Sequence, residues 1–189
     1  MRILLLIVEA ALIILAVDFA SGLVHWAEDT LWNEETPVMG RWIVTPNVLH
    51  HRDGGAFIRN SWLHSSWDLM AAGLLILGMA WFLDLLSWHV WLFVALGANA
   101  NQIHKWAHLA PTRVPTCVRL LQRIHLLQSS THHAVHHRGG KNSNYCVITE
   151  VLNPVLERIR FWRGLEQAVV PVGGAPRRTD IQVPRSGES

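Results

Sequence analysis

Residues 69–109, LMAAGLLILGMAWFLDLLSWHVWLFVALGANANQIHKWAHL, decide the fold. They hold two apolar runs, from about Leu69 to Leu86 and from about Val90 to Leu109, each long enough as a helix to cross a bilayer core. Only Ser87, Trp88 and His89 are left to turn the chain, so the runs are predicted to form an antiparallel hairpin. A third run, ILLLIVEAALIILAVDFASGL, covers residues 3–23. It follows Arg2 as a signal peptide would, but it is long for one and no clean small-x-small cleavage site appears before His25. The expected fold is an all-α integral membrane protein with about three transmembrane helices.

Working outward, the whole chain agrees. Of 189 residues, 50% are hydrophobic and only 16% charged, and mean hydropathy is +0.21. That composition excludes a disordered chain and disfavours an ordinary soluble domain. A net charge of +2 gives no reason to expect a nucleic-acid partner. Two cysteines, Cys117 and Cys146, make no disulfide framework. Ten Trp against one Tyr suit a protein with membrane interfaces.

Fifteen of the sixteen Lys and Arg lie between spans one and two or from Lys105 onward, and only Arg2 precedes the first span. With three spans those two regions share a face, so the N-terminus is expected outside and the polar bulk in the cytosol. Glu9 and Asp18 fall inside span one, where an ionised group is costly and wants a partner. Beyond Leu109, amphipathic helices are expected from about Thr116 and, after a short extended piece at NYCVIT, from about Asn153. Gly139-Gly140 is expected to end the helix carrying HHAVHH. One domain over 1–170 and a disordered polar tail over 171–189 complete the plan.

Twelve histidines, with adjacent pairs at 50–51, 132–133 and 136–137, carry the chemistry. On this topology eleven of them, all but His89, reach one face. His104 and His108 are i, i+4 on one helix, as are His132 with His136 and His133 with His137; such pairs can share a metal ion. His125, seven residues before His132, lies two turns back on the same stripe. His25 and Asp29 repeat the spacing with a carboxylate. So many imidazoles at one face would repel if protonated and be left unpaired if neutral; coordination answers both, and eight or more ligands suit two ions. Imidazole serves Zn, Cu, Fe and Ni alike. A zinc-protease HExxH is missing, because HKWAH has Lys105 at the general-base position. No GxSxG, phosphate-binding or dinucleotide motif occurs.

SGLVHWAEDT (21–30), HHRD (50–53), NQIHKWAH (101–108), Leu121-Gln122 with His125, HHAVHH (132–137) and NYCVITEVLNPVLERIRFWRGLE (144–166) together resemble the plasmanylethanolamine desaturase family, which includes the CarF and Kua proteins. They are similar, more distantly, to plant plastid desaturases acting on phosphatidylglycerol. The resemblance covers about 145 residues. It implies a membrane-embedded non-haem di-iron enzyme that takes O2 and two external electrons to make a carbon–carbon double bond. In the ether-lipid branch an alkyl ether phospholipid becomes a vinyl ether. The implied metal residues are His25, His50, His51, His104, His108, His125, His132, His133, His136 and His137, with Asp29 as a catalytic residue that binds metal directly or orients a ligand. His64, Asp53 and Asp68 are further candidates as ligands or their supports.

The ether-lipid members carry His where this chain has Asn60, Glu where it has His64, and Asn-Gly where it has Ser66-Trp67, while Arg59 and Asp68 are kept. They also have one more helix before the SGLVHW-bearing one, which a partner or homo-oligomer would replace here. The implied partners are a membrane phospholipid substrate and a separate electron donor of cytochrome b5 or ferredoxin type. Trp26, Trp62, Trp67 and Trp106 are candidates to seal the site or sit at headgroup level. An acyl-lipid desaturase or hydroxylase acting at another position is the enzymatic alternative. A membrane metal-binding or transport protein is the non-enzymatic one.

Overall fold

Two of the three apolar runs become the longest helices of the computed structural model, which describes residues 1–138 and 141–173. The first, α1 (Arg2–Thr30), and α4 (Trp62–Phe82) are long and apolar enough to cross a membrane. Only 11% of the most apolar window of α1 and 17% of that of α4 are covered by protein, so neither is the core helix of a soluble domain. Leu4, Leu5, Leu12, Leu74, Leu75 and Met79 all stand exposed, apolar surface that a bilayer covers at no cost. No strand occurs among the described residues.

The third run differs from the expected single span. It gives α5 (Trp88–Ala98), about 16 Å long, and then a separate α6 (Ala100–Ala107). Asn99 divides them with φ −101° and ψ 3°. Its side chain donates to the Ala95 carbonyl at 2.9 Å and accepts from Trp62 Nε1 at 3.2 Å, so a polar side chain competes with the helical ladder where the chain re-aims. The hairpin forms, with α4 and α5 packed together, but the chain turns earlier than expected, over residues 83–87 with Asp84 at φ 56°, and Trp88 and His89 already belong to α5. α5 also packs along α1, and Glu9 of α1 finds a partner there in His89, 3.2 Å away.

Short helices then gather at one end of this bundle. A π-helical turn (Gly40–Val44) leads into α2 (Thr45–Arg52), with Pro46 in its first turn, and α3 (Gly54–Arg59) follows directly. α7 (Thr116–Arg123) and α8 (Ser130–Arg138) come after α6. The expected second amphipathic helix is two: α9 (Leu152–Arg158) and α10 (Phe161–Gly173), separated by Arg160 at φ 55°. Gly139-Gly140 and most of the expected tail, 174–189, lie outside the described residues.

The NYCVIT piece is neither helix nor strand, with Asn144 at φ 56°, and acts as a strap across the C-terminal half of α1. Asp18 accepts from the Ile148 amide at 2.9 Å and from the Thr149 hydroxyl at 2.5 Å. Asn153 brackets Cys146, accepting from its amide at 3.0 Å and donating to its carbonyl at 2.8 Å, and Gln128 Nε2 donates to that same carbonyl at 2.7 Å. Gly22 permits the approach: a Cβ there would lie 2.6 Å from Cys146 Sγ and 3.2 Å from its backbone nitrogen. Val17, Ala100, Ile103, Val147 and Ile148 form one core, and Trp26, Tyr145, Cys146, Leu156 and Trp162 the other. Each fully buried side chain of this size contributes roughly 1.5–3 kcal/mol, which holds strap, α1 and α6 as one unit.

Candidate metal centre

Four helices deliver the donors. α1 supplies His25 and Asp29, α2 supplies His50 and His51, the end of α6 supplies His104 and His108, and α8 supplies His133, His136 and His137. They form two groups, each able to hold a metal ion: His50, His104, His108, His133 and His137 in one, and His25, Asp29, His51 and His136 in the other. The groups are neighbours, with ring centroids of His25 and His104 5.6 Å apart and those of His51 and His137 5.3 Å apart.

Hydrogen bonding behind the rings sets their tautomers. His25 Nδ1 lies 3.1 Å from the Tyr145 carbonyl and His136 Nδ1 2.7 Å from the Ser143 carbonyl. A carbonyl only accepts, so both Nδ1 atoms carry the proton and both Nε2 atoms present a lone pair. These lone pairs point at the same neighbour: His51 Nε2 is 3.1 Å from His136 Nε2 and 3.5 Å from His25 Nε2. Asp29 joins them, its Oδ2 3.7 Å from His25 Nε2 and 3.6 Å from His136 Nε2, while its Oδ1 accepts from Asn47 at 2.7 Å.

The five-histidine group cannot satisfy itself. His104 and His133 approach through Nε2 at 2.9 Å, His133 and His108 at 3.0 Å, and His108 and His104 at 3.3 Å. Donor and acceptor cannot alternate around three mutually contacting atoms, so at least one contact sets like against like. His50 and His137 close the group at 2.9 Å from His108 and 3.0 Å from His133 respectively. A cation answers every lone pair at once, and the all-nitrogen donor set fits a first-row transition metal.

The electrostatics agree. Burial, and then the neighbouring imidazoles, hold His50, His51 and His133 well below the usual imidazole range. His136 is likewise held low by burial and His25. His137 is pushed down to about 4 by burial and by Lys141. The rings are therefore neutral at pH 7, the form that coordinates a metal. Phe57 packs on His50 and His104, with ring centroids 5.1 Å away in each case. Lys105 turns away from the donors and gives its ammonium to the Asn60 and Ser61 carbonyls at 2.7 and 3.2 Å.

A cavity of about 670 Å³ meets the centre at His25, His50 and His104 and runs between α1, α4 and α5, past Val17, Ile76, Phe93 and Val94. It is wide and apolar enough for a lipid chain. A family model described as a lipid desaturase domain matches residues 13–180. The chain belongs to the lipid desaturase family. It is 34% identical to plasmanylethanolamine desaturase 1 of Mus musculus over 178 residues, which is 88% of this chain and 65% of that one. It is also 34% identical to the plasmanylethanolamine desaturase of Myxococcus xanthus over 176 residues, 88% of this chain and 62% of that one. Fatty acid desaturase 4, chloroplastic, of Arabidopsis thaliana is 32% identical over 152 residues, 79% of this chain and 47% of that protein. The chain thus spans a little under two thirds of the length of the first two relatives. No solved structure matches it.

In this member of the family, eight of the ten expected metal histidines, together with Asp29, come together in the two groups. His125 and His132 do not. The predicted continuous stripe fails because α7 ends at Arg123 and His125 takes φ 61°, so its ring turns out to solvent, 71% exposed, and pairs with Glu150. His132 stays on α8 but sits at the edge of its donor face, 3.2 Å from Asn153 Nδ2. Asp53 also lies outside both groups, exposed and paired with Arg59 at 3.2 Å. His64 and Asp68 are likewise in neither group and line the cavity instead, with Asn60 and Trp67. Of the other Trp candidates, Trp26 is buried against the strap, Trp62 bonds Asn99, and Trp106 packs on the first core. The residues that sequence reasoning missed are those behind the rings, Asn47 and the Tyr145 and Ser143 carbonyls. Backbone acceptors leave no mark in a residue pattern.

Proposed function

We propose that this chain is a membrane di-iron lipid desaturase that uses O2 and externally supplied electrons to convert an alkyl ether phospholipid into its vinyl ether. The observation that carries the reading is the pairing of two adjacent donor groups, eight imidazoles and one carboxylate in all, with an apolar cavity that reaches them from between the spanning helices. His50, His104, His108, His133 and His137 hold one iron, and His25, Asp29, His51 and His136 the other. With O2, iron supplies an oxidant strong enough for an unactivated CH2, which zinc does not. The protein's own part is positional. The Tyr145 and Ser143 carbonyls fix the lone pairs of His25 and His136, Asn47 ties His50 to Asp29, and the cavity walls hold two adjacent CH2 groups beside the donors and keep water out.

In the membrane, the N-terminus faces out and the centre lies at the cytosolic end, a reading supported by the distribution of fifteen Lys and Arg against one. Electrons come from a separate donor protein of cytochrome b5 or ferredoxin type. The test is expression in a cell that makes alkyl ether lipids but no plasmalogens, followed by lipid mass spectrometry with and without mild acid. An acid-labile product two hydrogens lighter than its precursor is expected. Its absence from inserted, iron-loaded protein with a competent electron donor rejects the reaction.

One observation favours a second reading, an acyl-lipid desaturase or hydroxylase. Asn60, His64 and Trp67, the residues that depart from the ether-lipid pattern, all line the cavity. That reading yields an acid-stable unsaturation or hydroxyl in the same experiment. A transport protein is disfavoured, because the donors gather at one end of the helices instead of lining a route across.

A further inference from the structure

The donor groups have two sides. His25, His50 and His104 meet the cavity, whereas His108 and His137 lie off it. These two are the half-buried members of the five-histidine group; His50, His104 and His133 are buried. Their ring centroids are 4.9 Å apart, so together they make one edge. The turn between α2 and α3 sits against that edge, where a Cβ on Gly54 would meet His108 Nδ1 at 2.9 Å.

Cations frame it. Arg52 and Arg138 directly follow His51 and His137, end α2 and α8, and are both exposed. Arg59, its side chain 72% exposed, reaches Asp53 beside Gly54 at 3.2 Å. Lys141 donates its amide to the His136 carbonyl at 3.2 Å. Burial and then the Lys141 ammonium lower His137, which puts that ammonium beside the same edge. A cation at a helix C-terminus complements the helix dipole, and this accounts for Arg52 and Arg138. It does not account for Arg59 or Lys141. Positive charge beside donors that gather metal cations is repulsive, so the rim does not serve to retain metal. A negatively charged body coming against it offsets that repulsion.

The reaction supplies a reason for such a visitor. Converting CH2–CH2 into CH=CH releases two electrons and two protons, and reducing O2 to two waters takes four of each. Two further electrons must therefore arrive from outside, with two protons from solvent. With a lipid in the cavity, the His108–His137 edge is the side left to a carrier. We propose that this edge is the docking face for an acidic one-electron carrier protein, held by Arg52, Arg59, Arg138 and Lys141. Electrons enter the five-histidine group past the His108 and His137 rings, one on each of two visits. Contacts of this kind are small and transient, so charge and not buried apolar area holds them. The need for electrons rests on the desaturase reading; the docking face rests on the charged edge.

The test is binding, read apart from turnover. Full-length protein in phosphatidylcholine nanodiscs is titrated with the soluble haem domain of an acidic cytochrome b5, with an acidic ferredoxin, and with basic cytochrome c as the control. At least one acidic carrier is expected to bind at low salt and to be released at high salt, while cytochrome c does not bind. Arg52→Glu combined with Arg138→Glu lowers the affinity about tenfold, and Arg52→Lys combined with Arg138→Lys keeps it. Both double variants keep wild-type iron content, which shows that the donors are still assembled. Failure of both acidic carriers to bind, or binding that charge reversal leaves unchanged, overturns the proposal. So does a loss confined to the anionic phospholipid that co-purifies with the charge-reversed variant, which would place the rim on the bilayer. Carrier binding without any desaturated product counts against the reaction and leaves the docking face standing.

Discussion

His136 donates its Nδ1 proton to the Ser143 carbonyl at 2.7 Å, and this turns its Nε2 lone pair onto His51 Nε2, 3.1 Å away. His25 does the same through Tyr145, so one strap of backbone orients two imidazoles from different helices toward one point. Removing a ring from either donor group therefore has a defined consequence. His136→Ala is expected to lower bound iron from two per chain to one, and His104→Ala to empty the five-histidine group. Both variants should still insert and should lose at least about 100-fold in activity. Iron content by mass spectrometry of the purified variants, with the lipid assay beside it, checks this; full activity in either variant rejects the assignment.

His125→Ala and His132→Ala separate the structure from the spacing. Both residues lie outside the donor groups, so both variants are expected to keep wild-type iron content. His125→Ala costs at most about 1 kcal/mol, since its pairing with Glu150 is solvent-exposed. Loss of iron from either variant would restore the continuous stripe that the sequence suggests.

Asp18 carries the strap. Its carboxylate accepts from the Ile148 amide and the Thr149 hydroxyl, both buried contacts. Asp18→Ala leaves these donors without an acceptor and is expected to destabilise by about 3 kcal/mol, two contacts at roughly 1.5 kcal/mol each. Gly22→Ala, which drives a methyl group toward Cys146, costs about 1–3 kcal/mol. Thermal unfolding in detergent measures both, and weakened iron binding should accompany each because the strap also holds His25 and His136.

Acid should act on the same rings. In the metal-free protein, burial holds His50, His51, His133 and His136 far below the ordinary imidazole value near 6.5, and His137 at about 4. Between about pH 6.5 and pH 4 the unfolded chain binds more protons than the folded one, so stability falls as pH falls through this window. Above about pH 6.5 it is flat with respect to these groups. Iron held as proposed would compete with the same protons, so release is expected on acidification. Melting temperature and iron content followed from pH 7.5 to pH 5 test the sign; a protein that melts higher at pH 5 would contradict it.

The helical donors were legible in advance because the i, i+4 spacing of HKWAH and HHAVHH maps directly onto one face of any helix. His25 and Asp29 were legible for the same reason, whereas the adjacent His50 and His51, which fall in different groups, were legible only from the density of histidines and the resemblance. The third span was not, because Asn99 looks like one polar residue in an apolar run until Trp62 and the Ala95 carbonyl bind it. Nor was the pairing of Glu9 with His89, made across two helices 80 residues apart.

Composition and short-range periodicity by themselves pointed to a membrane protein, to two of its three apolar runs as spanning helices, and to a concentration of imidazoles suited to holding metal. Those properties are local, set by how much apolar surface a segment carries and which face its residues share. Tertiary structure alone decided that nine donors divide into groups of five and four, that His125 and His132 fall outside them, and that the cavity meets the centre at His25, His50 and His104. Such partitions depend on where helices cross and where a backbone carbonyl comes to rest, and the long-range packing of α1 with the strap, α6 and α8 fixes both.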